Sequence, residues 1–197
     1  MTSIKPFLDF AKERIELNEQ EICAIEHVLP LRTFEKGVIL LQEGEVSEAF
    51  YFILSGCIRM YYEVKGEEKS AFFYTEGDFV SSYESFINQQ PAEHYLQCTE
   101  ETTLVEISLE SSEMLLAASP KFDAFARIIM EEELGHYQKL LASFITKSPE
   151  QRYLEFSQKN RHLSQRLPQR YIASFLGVSP ESLSRIKHRI IEKERNS

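Results

Sequence analysis

Residues 169–190, QRYIASFLGVSPESLSRIKHRI, leave the chain few choices. They read as two short helices joined by a turn too tight for most side chains. Gly177 supplies the positive φ that such a turn demands. Ala173, four residues earlier, is small enough to let a second helix cross closely. Ile172, Leu176, Val178, Leu183, Ile186 and Ile190 stand at offsets that converge on one core. Ser179 is placed to cap the second helix. Pro180 fits its first position, and Glu181 suits the positive end of its dipole.

Turning Leu183, Ile186 and Ile190 inward leaves Glu181, Ser184, Arg185 and His188 on the opposite face. A helix-turn-helix reads the DNA major groove with such a face. Arg185 suits the O6 and N7 of guanine, and Glu181 suits the N4 of cytosine. Ser179, Ser182, Arg170 and Arg189 are candidates for phosphate contacts, and Pro180 lies on the same surface. A plain helical hairpin is the bland alternative. The joint pattern of Ala, Gly, Ser-Pro and Leu is more specific than a run of charge.

Charge divides the chain in the same place. The formal net charge is -9. Residues 148–197 nevertheless hold ten Lys/Arg against five acids, a surplus of +5, which leaves -14 for the remainder. A basic module beside an acidic one implies two different partners.

Upstream, residues 6–30 read as helical, with apolar residues at spacings of three, four and seven up to Pro30. From Thr33 the sequence turns β-branched and aromatic. Gly37, Gly44, Gly56, Gly66 and Gly77 punctuate it every 7 to 12 residues. Short strands at that spacing predict a sandwich, barrel or jelly roll. EVKGEEKS reads as a hairpin turn, and residues 81–88 as a short helix. A long helix then runs from Pro120, carrying Phe122, Phe125, Ile129, Leu134, Tyr137, Leu141 and Phe144 as a stripe. Such a stripe packs either on its own sheet or on a second copy of the chain. Ser148 and Pro149 open the next helix.

In these residues the chain resembles the Crp/Fnr family of bacterial transcription regulators. FEKGVILLQEGEVSEAFYFILSGCIRMYY is similar to the family's first β-roll segment, and EGDFV, with Gly77 and Asp78, to the opening of its phosphate-binding cassette. IASFLGVSPESLSRI is similar to its DNA-reading motif. The resemblance implies an α+β fold in three parts: a cyclic-nucleotide-binding-type β-roll (jelly roll) over residues 1–118, a long dimerisation helix over 119–147, and a winged helix-turn-helix over 148–197. Any wing is minimal, because only seven residues follow Ile190. The resemblance also implies a homodimer on a palindromic operator in double-stranded DNA, contact with RNA polymerase, and a small-molecule effector of unknown identity.

The chain departs from the family at the effector site. Cyclic-AMP-binding members place an Arg-Ser pair where this chain has Ala92 and Glu93. No Lys or Arg stands between Gly77 and Ser108. A buried phosphate needs charge pairing or many donors, so a cyclic nucleotide is disfavoured and no other cofactor is evident. Gly77, Asp78, Tyr83, Glu84, Ser85, Glu93 and His94 remain the candidate effector pocket, with Phe86 and Tyr95 as further aromatic walls. At the other end, Pro180 stands where many members have Arg.

Other functions fit less well. A small-ligand signalling module without a DNA role leaves the helix-turn-helix unexplained. A metal-holding jelly-roll enzyme needs convergent ligands, but His27, His94, His136, His162 and His188 are scattered. No catalytic constellation follows from spacing, so the chain does not read as an enzyme. Three separated cysteines form no disulfide or cluster motif. No apolar run reaches the roughly 20 residues a membrane span needs, and a cytoplasmic protein is expected.

Overall fold

The computed structural model describes residues 3–195; residues 1, 2, 196 and 197, which end the outer parts of the expected division, lie outside the described residues. The chain forms two compact units, residues 1–62 with 72–133 and residues 63–71 with 134–197.

The first unit opens with α1 (Lys5–Lys12) and α2 (Glu19–Val28). The helical reading of residues 6–30 is thus broken at 13–18. Asn18 is the cause. Its side chain accepts the Glu21 N–H at 2.9 Å, and the Glu21 carboxylate accepts the Asn18 N–H at 2.8 Å. This capping box satisfies two helix-end donors reciprocally, which makes residue 18 a starting point.

Eight strands follow: β1 (Leu31–Phe34), β2 (Ile39–Leu41), β3 (Ala49–Ser55), β4 (Ile58–Val64), β5 (Glu67–Tyr74), β6 (Phe79–Val80), β7 (Tyr95–Cys98) and β8 (Thr102–Ser108). They form two sheets, ordered β1-β8-β3-β6 and β2-β7-β4-β5. The β1–β8, β3–β8, β3–β6, β2–β7 and β4–β7 pairs are antiparallel. Lys65 and Gly66 both take positive φ between β4 and β5, as a two-residue hairpin turn requires. Gly56 has a stricter role. Its φ is +106°, and a Cβ there would lie 2.5 Å from Thr102 Oγ1, 2.6 Å from Thr102 Cα and 2.7 Å from Glu101 O.

Three helices complete this part: α3 (Tyr83–Asn88), α4 (Leu109–Ala118) and α5 (Lys121–Thr146). Ser108 caps α4, accepting the Ser111 N–H at 3.1 Å. The core is built on phenylalanine. Phe7, Phe10, Phe52, Phe79 and Phe125 meet edge to face, Phe52 and Phe79 at 5.0 Å and Phe7 and Phe52 at 5.2 Å between centroids. Tilted contacts of this kind add to the burial of each ring, itself about 2–3 kcal/mol.

Helix α5 changes role along its length. Phe122, Phe125 and Ile129 are buried in the first unit's core. Leu134, Tyr137, Leu141 and Phe144 are exposed, Leu141 to 64%. The apolar stripe, read as packing either on its own sheet or on a second copy, is therefore divided. Its first three residues are consumed by the chain's own core, and only the later ones remain open to a second copy.

The second unit contains α6 (Pro149–Lys159), α7 (Leu163–Arg166), α8 (Gln169–Phe175) and α9 (Pro180–Arg195). Ser148 and Gln151 form a capping box at the start of α6. Phe156, Leu163, Leu167, Ile172, Leu176 and Leu183 are among the buried residues. Among the described residues no strand follows α5. The unit also includes residues 63–71, where the Ser70 N–H donates to Ser174 Oγ at 2.9 Å.

Candidate functional site

The turn between α8 and α9 is stabilised by its own backbone. The Val178 N–H donates to Ala173 O and the Gly177 N–H to Ser174 O, both at 3.0 Å. These are the two bonds of a Schellman motif, which places its C′ residue at positive φ; Gly177 is at +69°. Ser179 then starts α9, its Oγ accepting the Ser182 N–H at 3.2 Å. Ala173, Leu183 and Ile186 are buried, as the turn's sequence requires.

That packing fixes what faces outward. Pro180, Glu181, Ser184, Arg185, His188 and Arg189 are exposed on α9, as are Arg170 and Ser179 beside it, while Ser182 is half-buried. Glu181 and Arg185 are one helical turn apart. Ser179 holds the Glu181 carboxyl below the usual carboxylate range, its own backbone N–H adds to this, and Arg185 contributes attraction. The guanidinium of Arg170 lies over the Tyr171 ring at 5.0 Å. His188 Nδ1 is 3.4 Å from Glu192 Oε1.

Two cations of this unit have local partners that the sequence did not disclose. Arg189 lies 3.5 Å and Lys193 2.8 Å from the Glu150 carboxylate on α6. The paired cations, Lys193 first, hold that carboxyl below its ordinary range. Arg152 is structural. It donates to Lys147 O and to Leu176 O, each at 2.8 Å, with its guanidinium 4.6 Å from the Phe144 ring centroid. A cation on carbonyls at helix ends complements the helix dipole. Ser148, Glu150, Ser182, Arg185, His188 and Arg189 share one concave groove between the start of α6 and the outer face of α9.

The candidate effector residues divide into separate local settings. Gly77, at φ +90°, forms the turn from β5 to β6, and its N–H donates to Ile53 O at 2.9 Å. Asp78 accepts the Thr75 N–H at 2.7 Å. Tyr83 is 52% exposed and lies edge-on to Phe50, which also meets Phe86 at 4.6 Å. Ser85 is buried; its Oγ accepts the Ser47 N–H at 2.8 Å and donates to Gln90 O at 2.5 Å. Ser81 donates to Ala49 O at 3.2 Å. These hydroxyls are engaged within the roll. Glu84 and Glu93 are exposed. His94 packs edge-on against Tyr62 at 5.6 Å. Burial holds its pKa below the usual histidine value, against the opposing pull of Glu93. Tyr95 stacks on Tyr61 at 4.8 Å.

One charge of the roll escaped the sequence reading. Arg59 on β4 is fully buried, donates to Gln97 Oε1 at 3.1 Å and lies 4.0 Å from the Tyr61 ring centroid. Its burial is a signal that only the strand register exposes, since β4 reads as an ordinary half-polar strand in sequence. Among the described residues no group of three or more His, Cys, Asp or Glu is placed to hold a metal ion, and no helix is long and apolar enough to cross a membrane.

Comparison with known proteins agrees with this architecture. Residues 31–119 match the cyclic nucleotide-binding domain family. No curated protein matches the chain in sequence. Among solved structures, FixK2 from Bradyrhizobium japonicum is similar over 84% of this chain and 86% of its own, at 16% identity and a TM-score of 0.72. The c-di-GMP-responsive global regulator CLP of Xanthomonas campestris is similar over 90% and 93%, at 18% identity and a TM-score of 0.70. The catabolite activator protein of Thermus thermophilus is similar over 90% and 85%, at 19% identity and a TM-score of 0.55. Residues 31–119 thus match the cyclic nucleotide-binding domain family, and the chain as a whole shares the fold of these solved structures.

Proposed function

We propose that this chain is a homodimeric, sequence-specific DNA-binding transcription regulator and not an enzyme. The observation that carries the reading is the exposed face of α9. Glu181, Ser184, Arg185 and His188 point away from a core closed by Leu183 and Ile186, on a helix whose start is set by Ser179 and Gly177. Arg185 and Glu181 read bases. Ser179, Ser182, Arg170 and Arg189 hold phosphates, with Pro180 beside them. The two α9 helices of a dimer sit about 34–36 Å apart on a palindromic site. In the proposed division, residues 1–118 are the sensor, 119–147 the dimerisation helix and 148–197 the DNA-binding part. The exposed Leu134, Tyr137, Leu141 and Phe144 supply the dimer seam. The protein works in the cytoplasm and contacts RNA polymerase.

The effector of the roll is not cyclic AMP in this reading. Ala92 and Glu93 replace the phosphate-binding pair, and Ser47, Ser81 and Ser85 are already bonded to one another or to backbone. Selection of bound duplexes from a random pool tests the proposal. An enriched palindrome is expected, together with a loss of about ten- to a hundredfold in affinity for Arg185→Ala. Selection without enrichment, or unchanged binding by the variant, overturns it.

A further inference from the structure

The first unit contains a second concavity, which shares only Tyr83 and Phe86 with the candidate effector residues. It is a cavity of about 350 Å³. Its floor is apolar, with Phe86, Leu115, Phe122, Phe125 and Ile129 buried. Its mouth is apolar as well: Tyr83 and Ile87 of α3 and Leu116 of α4 are 52%, 54% and 42% exposed. Large apolar side chains grouped around a concavity mark a binding site more often than single exposed ones do. An apolar concavity of this kind is poorly served by water, which needs polar partners.

Polar groups at the rim define the other end of a ligand. Arg127 and Asp123 of α5 stand one turn apart in the lining, with Ser112 of α4. Arg127 reaches Glu131 only at 3.9 Å, and both side chains are about two-thirds exposed. Such an ion pair contributes little, so the guanidinium can present its two parallel donors to a carboxylate. The volume suits roughly ten to twelve carbon atoms at liquid-like packing, and it lies within the range of small-molecule pockets.

We propose that this cavity binds a medium-chain monocarboxylate, its apolar body on the phenylalanine floor and its carboxylate on Arg127. The proposal concerns binding to the first unit and does not depend on DNA recognition. The probes are decanoate, 1-decanol and decylamine, titrated calorimetrically into the full-length chain below their micelle concentrations. Saturable decanoate binding at one molecule per chain is expected. Arg127→Gln should weaken decanoate at least about tenfold and change 1-decanol less than about twofold. Ala126→Trp, at an exposed mouth position, should abolish binding of both. Ser112→Phe, filling from α4, repeats that test should the first variant melt early. Three results overturn the proposal: no saturable decanoate binding, binding that survives both filling variants, or decylamine binding as tightly as decanoate.

Discussion

Gly56 offers a sharp test of how the β-roll is packed. Replacing it with alanine has two separable consequences. An L-residue at positive φ costs about 1–2 kcal/mol, partly offset by about 0.4–1 kcal/mol because alanine restricts the unfolded chain. Gly37 isolates that contribution: its φ is +88°, and a Cβ there meets nothing within 4 Å. Gly37→Ala should therefore lose about 0.5–1.5 kcal/mol, or about 1–6 °C in Tm for a chain of this size. Gly56→Ala carries the same backbone cost and adds a collision. The new methyl lies 2.5–2.7 Å from three atoms, and two of them, Thr102 Cα and Glu101 O, are backbone. They cannot turn away as a flexible side chain would. Thr102 is also held by its register with Phe34 on β1. Overpacking of this kind costs about 1–3 kcal/mol or more, bringing the loss to about 3 kcal/mol and the fall in Tm to at least about 6 °C. Thermal and urea denaturation followed by circular dichroism on both variants measures the difference. Equal melting of the two would show that β3, β4 and β8 do not meet at Gly56 as described.

Three further outcomes follow from the geometry. Glu150→Gln removes the carboxylate that occupies Arg189 and Lys193, so DNA affinity should rise and the slope of log affinity against log salt should steepen by about 1–2; identical slopes for both proteins would show that these cations do not meet phosphate. Arg152→Met keeps the stem near Phe144 but loses the bonds to Lys147 O and Leu176 O, and should lower stability by about 2–3 kcal/mol, against no change if the guanidinium is merely a surface charge. Tyr51 has its pKa pushed up to about 12, first by burial and then by Glu106, Glu48 and Cys98. The unfolded chain then releases this proton near pH 10 and the folded chain only near 12, so the stability is fully present below pH 10 and is lost as pH rises through that window. Tyr51→Phe should flatten the decline in a denaturation series from pH 9 to 12, and an unchanged decline would refute the assignment.

How much of this was legible in the sequence depended on whether the determinants are neighbours along the chain. The helix-turn-helix was legible because Ala173, Gly177, Ser179 and Leu183 act within a dozen residues of one another. The break before Asn18 was legible in principle, since Asn18 and Glu21 carry the capping-box spacing, but the apolar periodicity on both sides masked it. The division of the α5 stripe was not. Phe125 and Leu141 are alike in sequence, and only the fold shows that the first meets Phe79 while the second meets solvent. Arg59, Glu150 and the cavity under α3 belong to the same category. Each depends on residues tens of positions apart, so no window of sequence contains both partners. The candidate effector residues are the converse case. Gly77 and Asp78 were recognisable by motif, whereas the bonds that they and Ser85 make within the roll needed the fold to be seen.

Residues 63–71 were described as part of the second unit, where Ser70 donates to Ser174. During synthesis this makes them an early part that must wait. They leave the ribosome before any of residues 134–197 exist, and chains generally fold from the N-terminus as units are completed. The first unit can close once residue 133 has emerged, whereas the second has to wait for the helices that follow. Separating the units by cutting before residue 134 would consequently yield a C-terminal fragment that lacks one of its own segments. A faithful fragment has to restore residues 63–71 through a linker or as an added peptide.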